Sequence, residues 1–139
     1  MSALRESGFP AEIPFIEGLG IRLDTLEGGR ARASLHLGPT HMNSFAVAHG
    51  GALMSLLDVS MAMAVRGMAR ASGADTRSIA TIEMKTSFMR PAVGQITAVA
   101  TVLHRTRSMA FCEAEIRSAG DELIARASGT FRYSVQDTP

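Results

Sequence analysis

Hydrophobic and polar residues alternate through most of this chain, and the one long exception lies near its middle. From Gly50 to about Ala71 the sequence is rich in Ala, Leu and Met and stays apolar nearly all round until Arg66 and Arg70. That length without alternation predicts a helix, and an apolar circumference predicts one that a sheet wraps. Upstream, residues 10–18 predict a short helix whose Ile13, Phe15 and Ile16 cover a core edge. Residues 21–27 and 30–37 flank Gly28-Gly29, a pair suited to a hairpin turn. In the second arm Ala31, Ala33, Leu35 and Leu37 alternate with Arg30, Arg32, Ser34 and His36, which is the period of a strand with one wet face. Residues 39–44 read as a polar connection and 73–77 as a loop. Beyond it Ile82, Met84 and Phe88 alternate with Glu83, Lys85 and Ser87, and Arg90-Pro91 closes that strand. Residues 95–104 are rich in Val and Thr, and residues 109–117 follow after a short turn. Finally Leu123, Ala125, Ala127, Phe131 and Tyr133 alternate with Glu122, Arg126, Ser128 and Arg132. A hairpin, one long central helix and a run of antiparallel strands make an α+β protein, a single helix against a curved sheet.

Composition narrows the function classes. A chain of 139 residues suits one domain, residues 1–139, with a real core. The net charge of +1 gives no global basic field for nucleic acid or an anionic membrane. Aromatics are scarce and Trp is absent, which weakens a base-stacking role. The first fourteen residues, MSALRESGFPAEIP, hold no apolar core of signal-peptide length. The run at 50–65 is shorter than a membrane span and is interrupted by Asp58. Cys112 stands alone, with no disulfide framework and no cysteine-based zinc site. The default is a soluble cytoplasmic protein.

The chemistry concentrates at the central helix. Asp58 is the single charged residue between positions 50 and 65, and an ionised carboxylate is expensive to bury there unless something compensates it or uses it. Just upstream lie Asn43, His49, Gly50 and Gly51. The first N–H groups of a helix lack intrahelical partners and sit at the positive end of its dipole, so this mouth suits an oxyanion. Glycine there removes Cβ atoms that would block a ligand. The plainer reading is that the pair lets the helix enter close to a strand. Gly50 and Asp58 are separated by about 12 Å along the axis at 1.5 Å per residue. A carbonyl under attack must lie roughly 3 Å from both the attacking group and the oxyanion donors. One helix therefore cannot supply both, whereas two antiparallel copies related by a two-fold axis can. An acyl-transfer site here is expected at a homodimer interface.

The ordered set N-x5-HGG-x6-D (Asn43 to Asp58), F-x-RP (Phe88 to Pro91) and T-R-S-x-A-F (Thr106 to Phe111) resembles the hotdog-fold acyl-CoA thioesterases. The nearest branch is the phenylacetate-pathway, PaaI-like type with its mammalian acyl-CoA relatives. The likeness runs from Phe15-x3-Leu19-Gly20 to Thr130-Phe131. The resemblance implies a helix "sausage" in a sheet "bun", dimers that pair two helices at the active sites, and commonly dimers of dimers, hence a homotetramer. It implies that Asp58 is the nucleophile or the general base for water and that the Gly50 N–H polarises the thioester carbonyl. Asn43 would help place substrate or water across the interface, and His49 would assist the mouth or contact substrate. Thr81 would hydrogen-bond near the nucleophile or its water, although simple alternation places Thr81 on the face with Glu83 and Lys85. Coenzyme A carries phosphates, so Arg90, Arg105 and Arg107 at strand ends are candidates for it, with Arg107-Ser108 the best placed by resemblance. Gly51 and Pro91 complete the expected substrate-contacting set. Each arginine read singly is equally well a solvated surface residue. No cofactor is implied, coenzyme A being part of the substrate.

Other residues weigh less. His36, His41 and His104 show no metal-ligand spacing with one another, so no metal is expected. Ser55 lacks an elbow motif and partners. Met54, Met61 and Met63 read first as adaptable core, second as part of an acyl pocket. Cys112 reads as a small buried hydrophobe. Hydrolysis of acyl-CoA, with an aryl-acetyl or a medium- or long-chain acyl group, leads. The competitors are an enoyl-CoA hydratase or dehydratase using His49 with a carboxylate, and a non-catalytic acyl-CoA binding module on the same fold.

Overall fold

The computed structural model describes residues 5–74 and 76–135. The N-terminal reading at 1–4, position 75 of the expected loop and the last four residues of the chain lie outside them. The order is α1 (Pro14–Gly18), β1 (Arg22–Glu27), β2 (Arg30–His36), a 3₁₀ turn at Pro39–His41, α2 (Gly50–Ala71), β3 (Thr76–Phe88), β4 (Gln95–Arg105), β5 (Met109–Ser118) and β6 (Leu123–Val135). Six strands form one antiparallel sheet in the order β1-β2-β4-β5-β6-β3, with β1 and β3 at its edges. Helix α2 lies across the inner face and carries the chain from β2 to the far edge at β3, the arrangement of the hotdog fold.

Large and small side chains are divided between the two layers. The helix contributes Leu53, Leu56, Leu57, Met61, Val65 and Met68 to the core. The inner face of the sheet meets them largely with alanine: Ala31 and Ala33 on β2, Ala98 and Ala100 on β4, Ala110 and Ala114 on β5, Ala125 and Ala127 on β6. Small residues opposite large ones let the helix settle close to the strands at native packing density. Gly28 takes φ +57° in the two-residue β1–β2 turn, and that turn rests on α2 at Gly67, where an added Cβ would overlap the Gly28 carbonyl oxygen. At 22 residues α2 is long and apolar enough to cross a membrane, more than the run at 50–65 suggested, but here strands wrap it and most of its length is buried.

Several expectations need correction. The first helix begins at Pro14 rather than residue 10, because proline is favoured at the first helical position and holds Ile13 in a non-helical conformation (φ −126°, ψ 85°). Phe15 on it is 68% exposed, so it covers no core edge. Strand β3 starts at Thr76, within the segment read as a loop, because Thr76 pairs with Val135 of β6 and long-range pairing overrides polar composition. Ile82 is not on the inner face of β3: the register slips by one residue between Thr81 and Glu83, and Ile82 is the extra residue, 54% exposed. This β-bulge resets the alternation. Ile79 and Thr81 oppose the buried Tyr133 and Phe131, and after the bulge Met84, Thr86 and Phe88 take the inner face. Thr81 therefore does not share the face of Glu83 and Lys85.

Candidate active site

Asp58 sits on the least covered stripe of α2, shared with Ala62 and Arg66, which follow it at successive intervals of four. It is half-buried rather than buried, which avoids most of the cost of an enclosed charge. The Thr81 hydroxyl donates to Asp58 Oδ1 at 2.6 Å. The bulge at Ile82 makes that bond possible, since it turns Thr81 toward the helix. Together the two residues line one end of a cavity of about 290 Å³ between α1, α2 and β3. Its walls are mainly apolar, with Ile13, Ile16, Val59, Ala62, Met63 and Ile79 among them.

The mouth of α2 is a separate construction. His49 is the N-cap, and its Nδ1 accepts the Gly51 N–H at 2.8 Å. An acceptor at Nδ1 leaves the neutral ring's proton on Nε2. The Gly51 donor is thereby used, while the Gly50 N–H has no acceptor among the described residues. Gly50 lies under the Phe88 ring, which a Cβ there would meet at 3.3 Å. The approach is held by His41, a buried residue whose Nδ1 accepts from the Gly38 N–H (2.9 Å) and whose Nε2–H donates to the Leu19 carbonyl (2.6 Å). Its carbonyl in turn accepts the His49 N–H at 2.7 Å. A cleft of about 170 Å³ opens beside the mouth, lined by Phe15, Leu19, His41, His49, Gly51 and Ser55 among others.

Asn43 organises the loop between. Its Oδ1 accepts from the N–H groups of Phe45 (2.8 Å) and Val47 (3.4 Å), and its N–H donates to the Val47 carbonyl (2.8 Å). The side-chain NH2 makes no bond among the described residues. Ala46 takes φ +59° to close this turn, and Phe45 at its tip is 83% exposed.

The structure brings Asp58 to Thr81, and gathers His49, Gly50 and Gly51 at the mouth; it keeps these two groups apart on one uninterrupted helix. The arginines divide as well. Arg90 and Pro91 lie near the mouth, where Phe88 touches Gly50 and the Ala92 carbonyl accepts the Ala48 N–H, and Arg90 pairs with Glu122 at 2.9 Å. Arg105 donates to Ser72 Oγ at 3.0 Å, at the opposite end of α2. Arg107 and Ser108 are in the following turn, tied to β6 through the Tyr133 N–H and hydroxyl. A larger depression, about 540 Å³, lies elsewhere, among charged groups such as the ion-paired Arg5 and Glu17. Among the described residues no group of three or more His, Cys, Asp or Glu is placed to hold a metal ion. Sequence reading missed Arg66, which lines the Asp58 cavity; its signal is the eight-residue spacing from Asp58, two steps of four along one helix face.

A family model described as the thioesterase superfamily matches residues 45–125, from the loop tip to the start of β6. Among solved structures, the chain is similar to a conserved protein from Pseudomonas aeruginosa, at 34% identity and TM-score 0.80 over 88% of this chain and 95% of that one. It is similar in fold to the PaaI protein from the phenylacetic acid degradation operon of E. coli (22% identity, TM-score 0.77, 86% and 83% covered). The same holds for a mutant of a Staphylococcus aureus thioesterase enzyme (21% identity, TM-score 0.78, 86% and 98% covered). No match is found among curated proteins.

Proposed function

The chain belongs to the thioesterase superfamily, and on that premise we propose that it hydrolyses acyl-CoA thioesters to the free acid and coenzyme A, at sites shared between two copies. The observation that carries this reading is the Asp58 carboxylate held by Thr81 at the end of an apolar cavity, on the same helix as an unused N–H at Gly50. The rise of α2 keeps them about 12 Å apart, so the Gly50 of a second, antiparallel copy serves the Asp58 of the first. The exposed apolar residues Ile82, Phe88 and Met89 along the β3 edge, and Phe45 on the loop, support burial against such a copy. Further pairing of dimers into a tetramer belongs to the same proposal.

In the reaction, Asp58 takes a proton from water while the water oxygen bonds to the thioester carbon. The carbonyl oxygen becomes an oxyanion held by the Gly50 N–H at the positive end of the helix dipole. Collapse breaks the C–S bond, and the proton passes from Asp58 to the departing thiolate. In the covalent variant Asp58 itself attacks the carbonyl carbon and the C–S bond breaks to release the thiolate; water then cleaves the mixed anhydride, freeing the acid and regenerating Asp58, and the proton released goes to the thiolate. Thr81 fixes the carboxylate. Asn43, with its NH2 unused, orients water or substrate, and the His49 Nε2–H offers a donor beside Gly51. Arg90 and Pro91 flank the thioester end of coenzyme A. Arg105, Arg107 and Ser108 of the other copy lie further out, since Ser72 is about 21 Å beyond Asp58 along α2. No cofactor enters these steps. A hydratase would need a His–acid pair on one substrate, whereas the Nδ1 of His49 is committed to its own helix.

The test is coenzyme A release from a panel of acyl-CoA substrates by wild type and Asp58→Asn. Loss of at least about a hundredfold in kcat is expected for removal of a general base or nucleophile. A fully active Asp58→Asn would overturn the assignment. In a single turnover in ¹⁸O-water, label in Asp58 identifies the covalent route with attack at the Asp58 carbonyl, and trapping an acyl–Asp58 anhydride identifies it whichever carbonyl the water attacks.

A further inference from the structure

We propose that the acyl group accepted by this site ends in a carboxylate, received by Arg66 at the end of the cavity opposite Asp58. The inference rests on the hydrolytic reading and adds the substrate class. Two turns of α2 separate the residues, about 12 Å between their Cα atoms, and both line the same cavity. Side chains on a helix lean toward its N-terminus, which brings the guanidinium back over Ala62 toward Asp58. Between the two charged poles the walls are Ala62, Met63 and Ile79, with Ile13 and Ile16 across from them. The roughly 12 Å of α2 between the two residues sets the reach of an acyl group that meets both, a short to medium one.

Arg5, Arg90, Arg117 and Arg126 each pair with a carboxylate, whereas Arg66, like Arg22 and Arg70 among others, makes no ion pair among the described residues; what sets it apart is its place in the wall of the Asp58 cavity. Its Nε is shielded from solvent and has no hydrogen-bond partner among the described residues. Because Nε is closed even to water, a bound carboxylate would meet the terminal NH2 groups of the guanidinium at the cavity wall, a charge-assisted pairing that this group favours. Asp58 is not that acceptor: its Oδ1 takes the Thr81 hydroxyl, and no Asp58–Arg66 pair forms. A plain alkyl chain filling the cavity would press methylenes against this charged group and leave its donors unpaired. A site built to hydrogen-bond part of a substrate rejects analogues lacking that part far more strongly than a hydrophobic pocket rejects a missing methylene.

Adipoyl-CoA and hexanoyl-CoA have the same chain length and differ in the terminal carboxylate, so the ratio of their kcat/KM values reads the contact directly. Wild type should favour adipoyl-CoA by at least about tenfold, the scale of one charge-assisted pair. In Arg66→Met the ratio should fall toward one, and in Arg66→Lys it should lie between. A wild type that cleaves hexanoyl-CoA as readily, or a preference that survives in Arg66→Met, overturns the proposal. Should Arg66→Met fail to fold, Arg66→Gln, which keeps polarity without charge, is read by the same criterion. Should neither thioester be cleaved, calorimetric titration of both into wild type and variant decides. Tighter binding of adipoyl-CoA that depends on Arg66 upholds this inference and removes hydrolysis; equal binding overturns it.

Discussion

Cys112 shows how position sets the chemistry of a single residue. It faces the core from β5 between Ala110 and Ala114, 2% exposed, and burial pushes its thiol up to about 12. The native chain keeps that proton across a range in which the unfolded chain, titrating near 9.0, has lost it. Stability contributed by the neutral thiol is therefore intact below about pH 9 and declines as pH rises toward 12. Urea unfolding from pH 8 to 11 should show a falling stability that flattens in Cys112→Ala, and the native thiol should resist alkylation at pH 8 until the protein is unfolded. The sequence disclosed this residue fully, because a lone cysteine between apolar neighbours has few other places to go. Arg66 shows the opposite: it reads simply as the end of an apolar run, and its enclosed Nε emerges only once α1 and β3 close over the helix.

At the scale of elements, α2 was legible to its bounds. Gly50-Gly51 after a capping His49 opens it, and Ser72-Gly73 after Arg70 closes it, so local signals agree with the tertiary fold. Strand β2 was legible for the same reason, its period of two being uninterrupted. The face of Thr81 was not, because the bulge at Ile82 arises from pairing with β6, some fifty residues later in the chain. Gly67 gives a test of helix against hairpin. Helix propensity alone predicts that Gly67→Ala stabilises by about 1 kcal/mol. The methyl group would overlap the Gly28 carbonyl oxygen and crowd Leu26, and overpacking against backbone costs typically 1–3 kcal/mol, roughly offsetting and exceeding that gain. We expect Gly67→Ala to lower the Tm by several degrees, measured by circular dichroism; a rise would show that the β1–β2 turn yields freely.

For the whole molecule, the 13-residue edge strand β3 is the part that a single chain leaves incomplete. A long unpaired edge flanked by Phe88 at 50% exposure and Ile82 at 54% invites association, and the proposed site needs it. Mixing variants tests the sharing of sites. Gly50→Pro deletes the N–H, and His49 already holds φ −64° and ψ 137°, a conformation that a following proline accepts. Gly50→Pro and Asp58→Asn should each be inactive alone. Dissociated together and reassembled in equal amounts, they should recover about a quarter of wild-type activity, since half the dimers are mixed and each mixed dimer has one intact site. No recovery would place Asp58 and Gly50 in the same subunit's site. The sequence suggests such sharing through the rise of one helix alone, and the mixing experiment is its test. The sequence was silent on how the two concavities are walled, because those walls come from α1, β3 and the loop at Asn43 meeting at long range.

The extra residue at Ile82 has a consequence for how such a chain can change. It divides β3 into two stretches whose inward-facing positions are counted separately: Ile79 and Thr81 before it, Met84, Thr86 and Phe88 after it. The first stretch borders the cavity, and the second ends at the ring lying on Gly50. Residues on either side can be exchanged without disturbing the count on the other. The lining of the cavity and the upkeep of the helix mouth are thus open to separate change along one strand.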